Sequence, residues 1–569
     1  MTVKNAQRSS QWRTLALLTA AAALGSVVSV AQETSKYAQL SPGNLVVSRS
    51  VYDNRASNVQ VGAILPPGCT STKGGCAAST GAPFDGTYPA VWNNDAYDSS
   101  FGITSRIYLD QISIFGSPIN SIQVPNSLES RISGTSDQLV TSFSSKSELA
   151  LNLSTDSRYL SFMGYVAPVN ALDVSNSNTP AAPDPTNPVG ESYERAVATV
   201  DAHGNFTFTK TNAYSGNNGR AAILSNLDGA HVFFTAGNAG NGGNPQPAGV
   251  VLGAGAQWIP ALSEPEYQQS PGTPAPLASF SVTQLGDKAD KVGKDDNFRG
   301  LTIFNNVVYF TKGSGSNGVN TVYFVDTTGK ACPTGAGLPI TGAQLPSAPL
   351  VYDPTTVQTD GLPSNMCILA GFPTALAKTA TTVSYPFGLW FADANTLYVA
   401  DEGDGYTGGT DLYTHAAAQT TAGLQKWVFN ATSKTWELAY VLKNQLGIGE
   451  PYSVANYPAG NNPSTNLPWA PATDGLRNIT GLNGPDGLVA IWAITSTVSG
   501  NGDTGADPNR LVVVVDKAAN IDPSLAAITP FIEVTGARFG EVLRGVSFTP
   551  GTDFDGFRKN VSLSTLAGR

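Results

Sequence analysis

The chain has 569 residues, among them 59 glycines and 37 prolines, with 41% hydrophobic and 13% charged residues. So many turn residues suit short strands better than long helices, and the apolar content is enough for a sizeable core. A formal charge of −10 argues against nucleic acid as a partner, since that binding is driven by lysine and arginine against phosphate.

At the N-terminus Lys4, Arg8 and Arg13 precede an apolar run from Leu15 to Ala31, and Ser29-Val30-Ala31 forms a small-residue cleavage point before Gln32. This predicts a secretory signal peptide over 1–31 and one mature domain over 32–569. The mature protein is then extracellular or periplasmic, without a membrane span after cleavage. An uncleaved anchor is the competing reading of an apolar run this long. Four cysteines fit an oxidising compartment, and the expected disulfides are Cys69 with Cys76 and Cys332 with Cys367, although four cysteines permit three connectivities. No C-x-x-C spacing occurs and only His203, His231 and His415 are present, so no metal centre is expected. Asn152, Asn205, Asn430, Asn478 and Asn560 each begin an N-x-S/T sequon.

In chain order, strands are expected at Asn44-Leu-Val-Val-Ser-Arg-Ser-Val, at Arg106 to Ile114 and at Ile119 to Val124. The next group begins at Glu148-Leu-Ala-Leu and continues at Tyr159-Leu-Ser-Phe, Arg195-Ala-Val-Ala and Phe206-Thr-Phe. A third runs from Arg220-Ala-Ala-Ile to Ala278-Ser-Phe, and a fourth from Leu301-Thr-Ile to Met366-Cys-Ile. The fifth runs from Gly388-Leu-Trp to Trp436-Glu-Leu, and the sixth from Asn478-Ile-Thr to Phe531-Ile-Glu. Arg544-Gly-Val-Ser-Phe is left as one strand without a group, while the N-terminal strands lack a first. Joining the chain ends gives an all-β fold: a β-propeller of six blades, each a four-stranded antiparallel sheet, its ring closed by N- and C-terminal strands. Seven blades is the alternative count. A monomer is expected.

An acid-x-x-Arg unit recurs at the head of these groups, as a repeat architecture requires. It reads Asp296-Asn-Phe-Arg299, Asp474-Gly-Leu-Arg477 and Glu541-Val-Leu-Arg544, and in a fourth copy Asn217-Asn-Gly-Arg220. In Tyr385-Pro-Phe387 the arginine has become phenylalanine. First strands of propeller blades line the central channel, so Arg220, Arg299, Arg477 and Arg544 should meet at its mouth. One reading has each acid pairing an arginine to tie neighbouring blades; the other has the guanidiniums receiving an anionic ligand.

The chain resembles secreted bacterial-type propeller proteins that begin with a PGNLVV-like strand. The matching segments are Pro42-Gly-Asn-Leu-Val-Val47, Leu153-Ser-Thr-Asp-Ser-Arg-Tyr-Leu160, Arg195-Ala-Val-Ala-Thr-Val-Asp201 and Tyr214-Ser-Gly-Asn-Asn-Gly-Arg220. Leu397-Tyr-Val-Ala-Asp-Glu402 is also similar to blades of phytase-like propellers. The resemblance implies fold and export, and it names no substrate.

Loops 53–102, 166–192, 236–248, 401–422, 442–473 and 497–508 are expected on one face, with 327–365 opposite. Elaborated loops on one side of a rigid scaffold are where binding concentrates. They hold Trp92, Tyr406, Trp469 and further tyrosines beside amides and acids, a composition suited to sugar rings or to packing the loops together. Asp401-Glu-Gly-Asp404 is a candidate Ca2+ loop or a solvated turn; no other cofactor is expected. Glu402 with Glu450 is a candidate carboxylate pair for glycoside hydrolysis. No nucleophile elbow, Walker or dinucleotide motif is present. The expected function is binding of an extracellular ligand, glycan or protein, on the long-loop face, with carbohydrate favoured. A polysaccharide lyase or hydrolase at the channel mouth is the alternative.

Overall fold

The computed structural model describes most of residues 39–567. Outside the description lie 1–38, 64–83, 85, 87–92, 95–97, 126–137, 181, 183–188, 239–253, 262–274, 290–292, 294, 316, 354, 463–465, 502–503 and 568–569. The expected leader, Cys69, Cys76 and Trp92 fall among these. Backbone contacts divide the chain into 1–36 and 37–569, and all that follows concerns the second unit.

Four antiparallel sheets follow one another from residue 219 to 536. The first holds Gly219–Ser225, Val232–Gly237, Ala256–Pro260 and Ala275–Ala278. The second holds Leu301–Phe304, Val307–Lys312, Thr321–Val325 and Met366–Leu369, with Ala336–Gly337 added in parallel at its edge. The third holds Pro386–Asp393, Thr396–Asp401, Gly423–Asn430 and Thr435–Leu442. The fourth holds Ala472–Asn483, Leu488–Val498, Arg510–Lys517 and Phe531–Gly536. The fold is all-β, with these sheets forming a propeller-like ring.

Apart from the two-stranded pair of Asn93–Asn94 with Asp98–Gly102, the remaining strands form one nine-stranded sheet, where two separate four-stranded groups were expected. Tyr159–Ala167, Glu194–Asp201 and Phe206–Thr211 make one end of it, and Thr104–Ile112, Leu45–Val51 and Glu541–Phe548 the other. Gln138–Ser142, a strand not foreseen, joins them: Thr104 faces Ser142, and Gln138 faces Ala167. It is short and polar at its ends, so its sequence lacks the apolar alternation that marks a strand. Leu45–Val51 pairs antiparallel with Glu541–Phe548, Leu45 opposite Phe548 and Val51 opposite Glu541.

Strands covered on both faces read as continuous apolar runs. Leu488–Val498 is buried from Val489 onward, and Trp492 at 0% exposure meets Phe548 edge-on with ring centroids 5.6 Å apart. At their inner ends successive sheets touch through hydrogen bonds to main-chain carbonyls. The Ala150 N–H donates to Arg220 O (3.2 Å), and Arg220 Nη1 donates to Phe298 O (2.6 Å). Thr311 Oγ1 donates to Phe387 O (2.5 Å) and Asn478 Nδ2 to Arg544 O (2.9 Å). The glycine that follows the repeat arginine explains itself here: Gly300 lies against Phe387 O and Gly545 against Leu149 O, with no room for a Cβ. Asn478 is 8% exposed with its amide so engaged, which closes that sequon to glycan transfer in the folded chain.

The 327–365 loop is anchored at its start. Burial acts to raise the Asp326 carboxyl, but the Thr328 hydroxyl and the N–H groups of Ala331, Thr328 and Gly329 donate to it and hold it below the usual range. Cys332 and Cys367 form the second expected disulfide, so the gathering of Asp326 with these two sulfurs is no metal centre.

Candidate functional site

Where the inner strands meet, a cavity of about 310 Å3 is lined by Arg220, Arg299 and Arg477, with Lys146, Glu402 and Asp474. Three of the four repeat arginines therefore share one cavity. Arg220 is in the strand Gly219–Ser225, Arg299 just precedes Leu301–Phe304 and Arg477 is within Ala472–Asn483, whereas Lys146 and Glu402 come from connecting segments.

Glu402, 8% exposed, sits between two guanidiniums. Its Oε2 is 3.1 Å from Arg477 Nε and its Oε1 is 4.0 Å from Arg299 Nε. Arg299 also lies 5.8 Å from the Phe387 ring centroid, a cation–π contact. Arg220 Nη1 donates to Asn297 Oδ1 (2.5 Å) as well as to Phe298 O. Lys146 is half-buried, and it makes no hydrogen bond or ion pair with a described residue. Burial holds its ammonium below the ordinary lysine range; Arg477 and Arg299 push the same way, while Glu402 and Asp474 oppose.

Asp474 is 1% exposed and accepts from the Gly405 N–H (2.9 Å) and from Gln419 Nε2 (2.5 Å). Burial pushes its carboxyl up to about 7, aided by Asp404 and opposed by those two hydrogen bonds. Such a group binds its proton more tightly folded than unfolded, so its contribution is fully present below about pH 4 and is lost as pH rises through about 7. Asp474→Asn should abolish that part of the pH dependence. Relative to wild type, the variant should gain about 4 kcal/mol between pH 4 and pH 8, the worth of a carboxyl moved from about 4 to about 7, measured by denaturant unfolding across that range.

On the cavity rim Asp404 is 2.6 Å from His415 Nε2, and this hydrogen bond raises the imidazole above its ordinary value. His415 lies on the helix Leu412–Ala418, and its ring stacks on Tyr406 with centroids 4.0 Å apart. Asp401 is turned elsewhere, accepting from Ser384 Oγ (2.7 Å), the Tyr385 N–H (2.9 Å) and Gln425 Nε2 (3.0 Å). Among the described residues, Asp401, Glu402 and Asp404 do not bring their oxygens within 4.8 Å of one another.

The other expected site residues lie apart from the cavity. Arg544, 2% exposed, donates to Phe143 O and, at 3.1 Å, to Gly505 O. Asp296 accepts from Ser279 Oγ (2.8 Å) and the Phe280 N–H (3.0 Å), and burial pushes it up to about 8. Glu541 pairs with Arg49 at 2.7 Å. Neither Asp296 nor Asp474 pairs with an arginine, contrary to the tie expected between repeat acids and repeat arginines. Both carboxylates are already taken: Asp296 by Ser279 Oγ and the Phe280 N–H, Asp474 by the Gly405 N–H and Gln419 Nε2. The inter-sheet pairing falls instead to Glu402.

Trp469 is 5% exposed, a packed residue and no surface platform. Tyr406 is half-buried under its stack with His415. The hydroxyls of Tyr413, Tyr452 and Tyr457 bond Ala470 O, Pro508 O and Asp507 Oδ1 at 2.6, 2.8 and 2.6 Å, tying loops together. Glu450 is exposed and outside the cavity lining. A second cavity of about 460 Å3 lies beside the 443–471 loop, floored by the stack of Arg510 on Tyr452 (4.2 Å) and flanked by Glu533, Arg538 and Phe539. The residue that sequence reasoning missed is Lys146: Ser144-Ser-Lys-Ser-Glu148 matches no motif and belongs to no repeat.

No family profile and no curated protein matches the chain. Among solved structures it is similar to a point variant of an ACO/RPE65 chimera in a trigonal crystal form, with 9% identity over 79% of this chain and 71% of that one, at a TM-score of 0.28. A second ACO/RPE65 chimera has 8% identity over 79% and 59%, at 0.21. The extracellular domains 1–2 of Drosophila Semaphorin 1a have 10% identity over 74% and 85%, at 0.26. Likeness at this level carries no argument; the strand pairings themselves define the fold.

Proposed function

We propose that this protein is a secreted, monomeric β-propeller that binds an acidic glycan in the arginine-lined cavity. Six blades is the count we favour, taking the nine-stranded sheet as two blades bridged by Gln138–Ser142, with the Leu45–Val51 and Glu541–Phe548 pair as the closure. Supporting it is the circuit of inner-strand contacts, in which residues 149–150, 220, 298–300, 387–388, 477–478 and 544–545 each meet the next and the last returns to the first.

One observation carries the ligand class: three guanidiniums, with the amine of Lys146 beside them, line a single small cavity in a chain of net charge −10. Of the acids in the lining, Glu402 lies between Arg477 and Arg299, Asp404 is paired with His415, and Asp474, its carboxyl pushed by burial up to about 7, is engaged by Gly405 and Gln419. A carboxylate-bearing sugar meets both requirements of the site, since its anion suits paired arginines and its hydroxyls suit the surrounding polar groups. Calorimetric titration with oligogalacturonate and with neutral cello-oligosaccharides, at low and high salt, tests the reading. Binding of the acidic oligomer alone, weakening with salt, is the expected result; equal binding of the neutral one would overturn it. The hydrolase alternative loses its carboxylate pair, because Glu450 is outside the cavity and Glu402 is held by arginines.

A further inference from the structure

We propose that the same cavity cleaves its ligand by β-elimination, acting on a 4-linked uronate polymer with Lys146 as the base. This rests on the acidic-glycan reading above and deepens it.

The chemistry needs three parts, and all of them line one cavity. The first is a cationic clamp on the sugar carboxylate. Arg477 and Arg299 already hold a carboxylate, that of Glu402, at 3.1 and 4.0 Å. Neutralising a uronate there acidifies its C5–H, because charge delocalised onto the carboxylate in the transition state meets fixed positive groups. The second is a base. The Lys146 amine lines the same cavity and makes no hydrogen bond or ion pair with a described residue, and burial beside two arginines favours its neutral form. The third is a proton donor for the departing oxygen. Tyr385 lines the cavity, and burial first, then Asp404, Asp401, Asp474 and Glu402, keep its phenol protonated.

In the step itself Lys146 Nζ takes the C5 proton, the electron pair forms the C4=C5 double bond, and the C4–O bond breaks. The leaving oxygen takes a proton from Tyr385 Oη, and the proton on Lys146 later returns to the phenolate through solvent. No water is consumed and nothing is oxidised or reduced. A hydrolase would need two free carboxylates. Here Glu402 lies between guanidiniums, and both oxygens of Asp474 accept protein hydrogen bonds.

The full chain is incubated with polygalacturonate, alginate and hyaluronate, and the ultraviolet absorbance of the unsaturated uronate is followed. One of these polymers should give that absorbance, with a rate that rises with pH as the amine loses its proton. Lys146→Met should lower kcat about 10²–10⁴-fold. Lys146→Arg, which keeps the charge and removes a usable base, should do the same while binding uronate within a few-fold of wild type. Binding without unsaturated product would overturn the elimination and leave the acidic-glycan reading standing, as would saturated reducing ends. Failure to bind any uronate would overturn both. Turnover by Lys146→Arg at the wild-type rate would overturn the role of Lys146.

Discussion

Asp516→Ala should lower the free energy of unfolding by about 3–5 kcal/mol, among the largest single effects available outside the cavity. Between the third and fourth sheets Lys426 Nζ lies 2.9 Å from Asp516 Oδ2, with side-chain exposures of 0% and 2%. The same carboxylate accepts from Tyr398 Oη (2.6 Å) and Tyr440 Oη (2.9 Å), and Lys426 also donates to Lys517 O (2.8 Å). Burial holds the Lys426 ammonium below its ordinary range, with Asp516 opposing. Removing the carboxylate strands a buried cation and two buried hydroxyls at once, and each then bears its desolvation cost without a partner. The double variant Lys426→Met/Asp516→Leu replaces both charges by side chains of similar bulk, so it should recover the part of the loss due to the unpaired cation, while the hydroxyls of Tyr398 and Tyr440 stay without that acceptor. Denaturant unfolding of the two single variants and the double gives the coupling directly. Additive single-variant losses would show that the pair does not act as a unit.

The sheets were legible in the sequence because their signal is local. Leu511-Val-Val-Val-Val and Val307-Val-Tyr-Phe are apolar runs bounded by turn residues, and they become the strands Arg510–Lys517 and Val307–Lys312. The repeat arginine was also legible, and three of its four copies reach one cavity. Arg544 does not, because Phe143 and Gly505 offer it carbonyls from segments that no pattern links to its strand. What the repeat acids do was misjudged for a related reason. A strand alternates faces, so the partner of Asp474 is set by whichever loop lies across from it: here Gly405 and Gln419, about 70 and 55 residues away. Lys146 was invisible for the same cause. The residues that share its cavity, Arg299, Arg477 and Glu402, meet only after the sheets assemble. Local pattern predicts elements; a site built from the ends of several elements is a property of their arrangement.

Arg477→Met should weaken binding of oligogalacturonate about 30-fold or more, the loss expected when one partner of a buried charge-assisted contact is removed. Arg477 is 4% exposed and makes the closer of the two contacts to Glu402, so it has the firmest geometry for a ligand carboxylate. Glu402→Gln should move affinity the other way. The amide keeps the shape but releases Arg477 and Arg299 from their internal anion, leaving both free to bind an external one. Affinity should then rise about tenfold, with a steeper dependence on salt. The same substitution should cost stability, because Arg220, Arg299, Arg477 and Lys146 then surround the cavity without that carboxylate. Titration calorimetry and thermal unfolding, run on both variants, separate the two effects. A purely architectural ion pair would make both variants less stable and leave their ligand affinities alike. A ligand site requires Arg477→Met and Glu402→Gln to diverge, one binding worse than wild type and the other better.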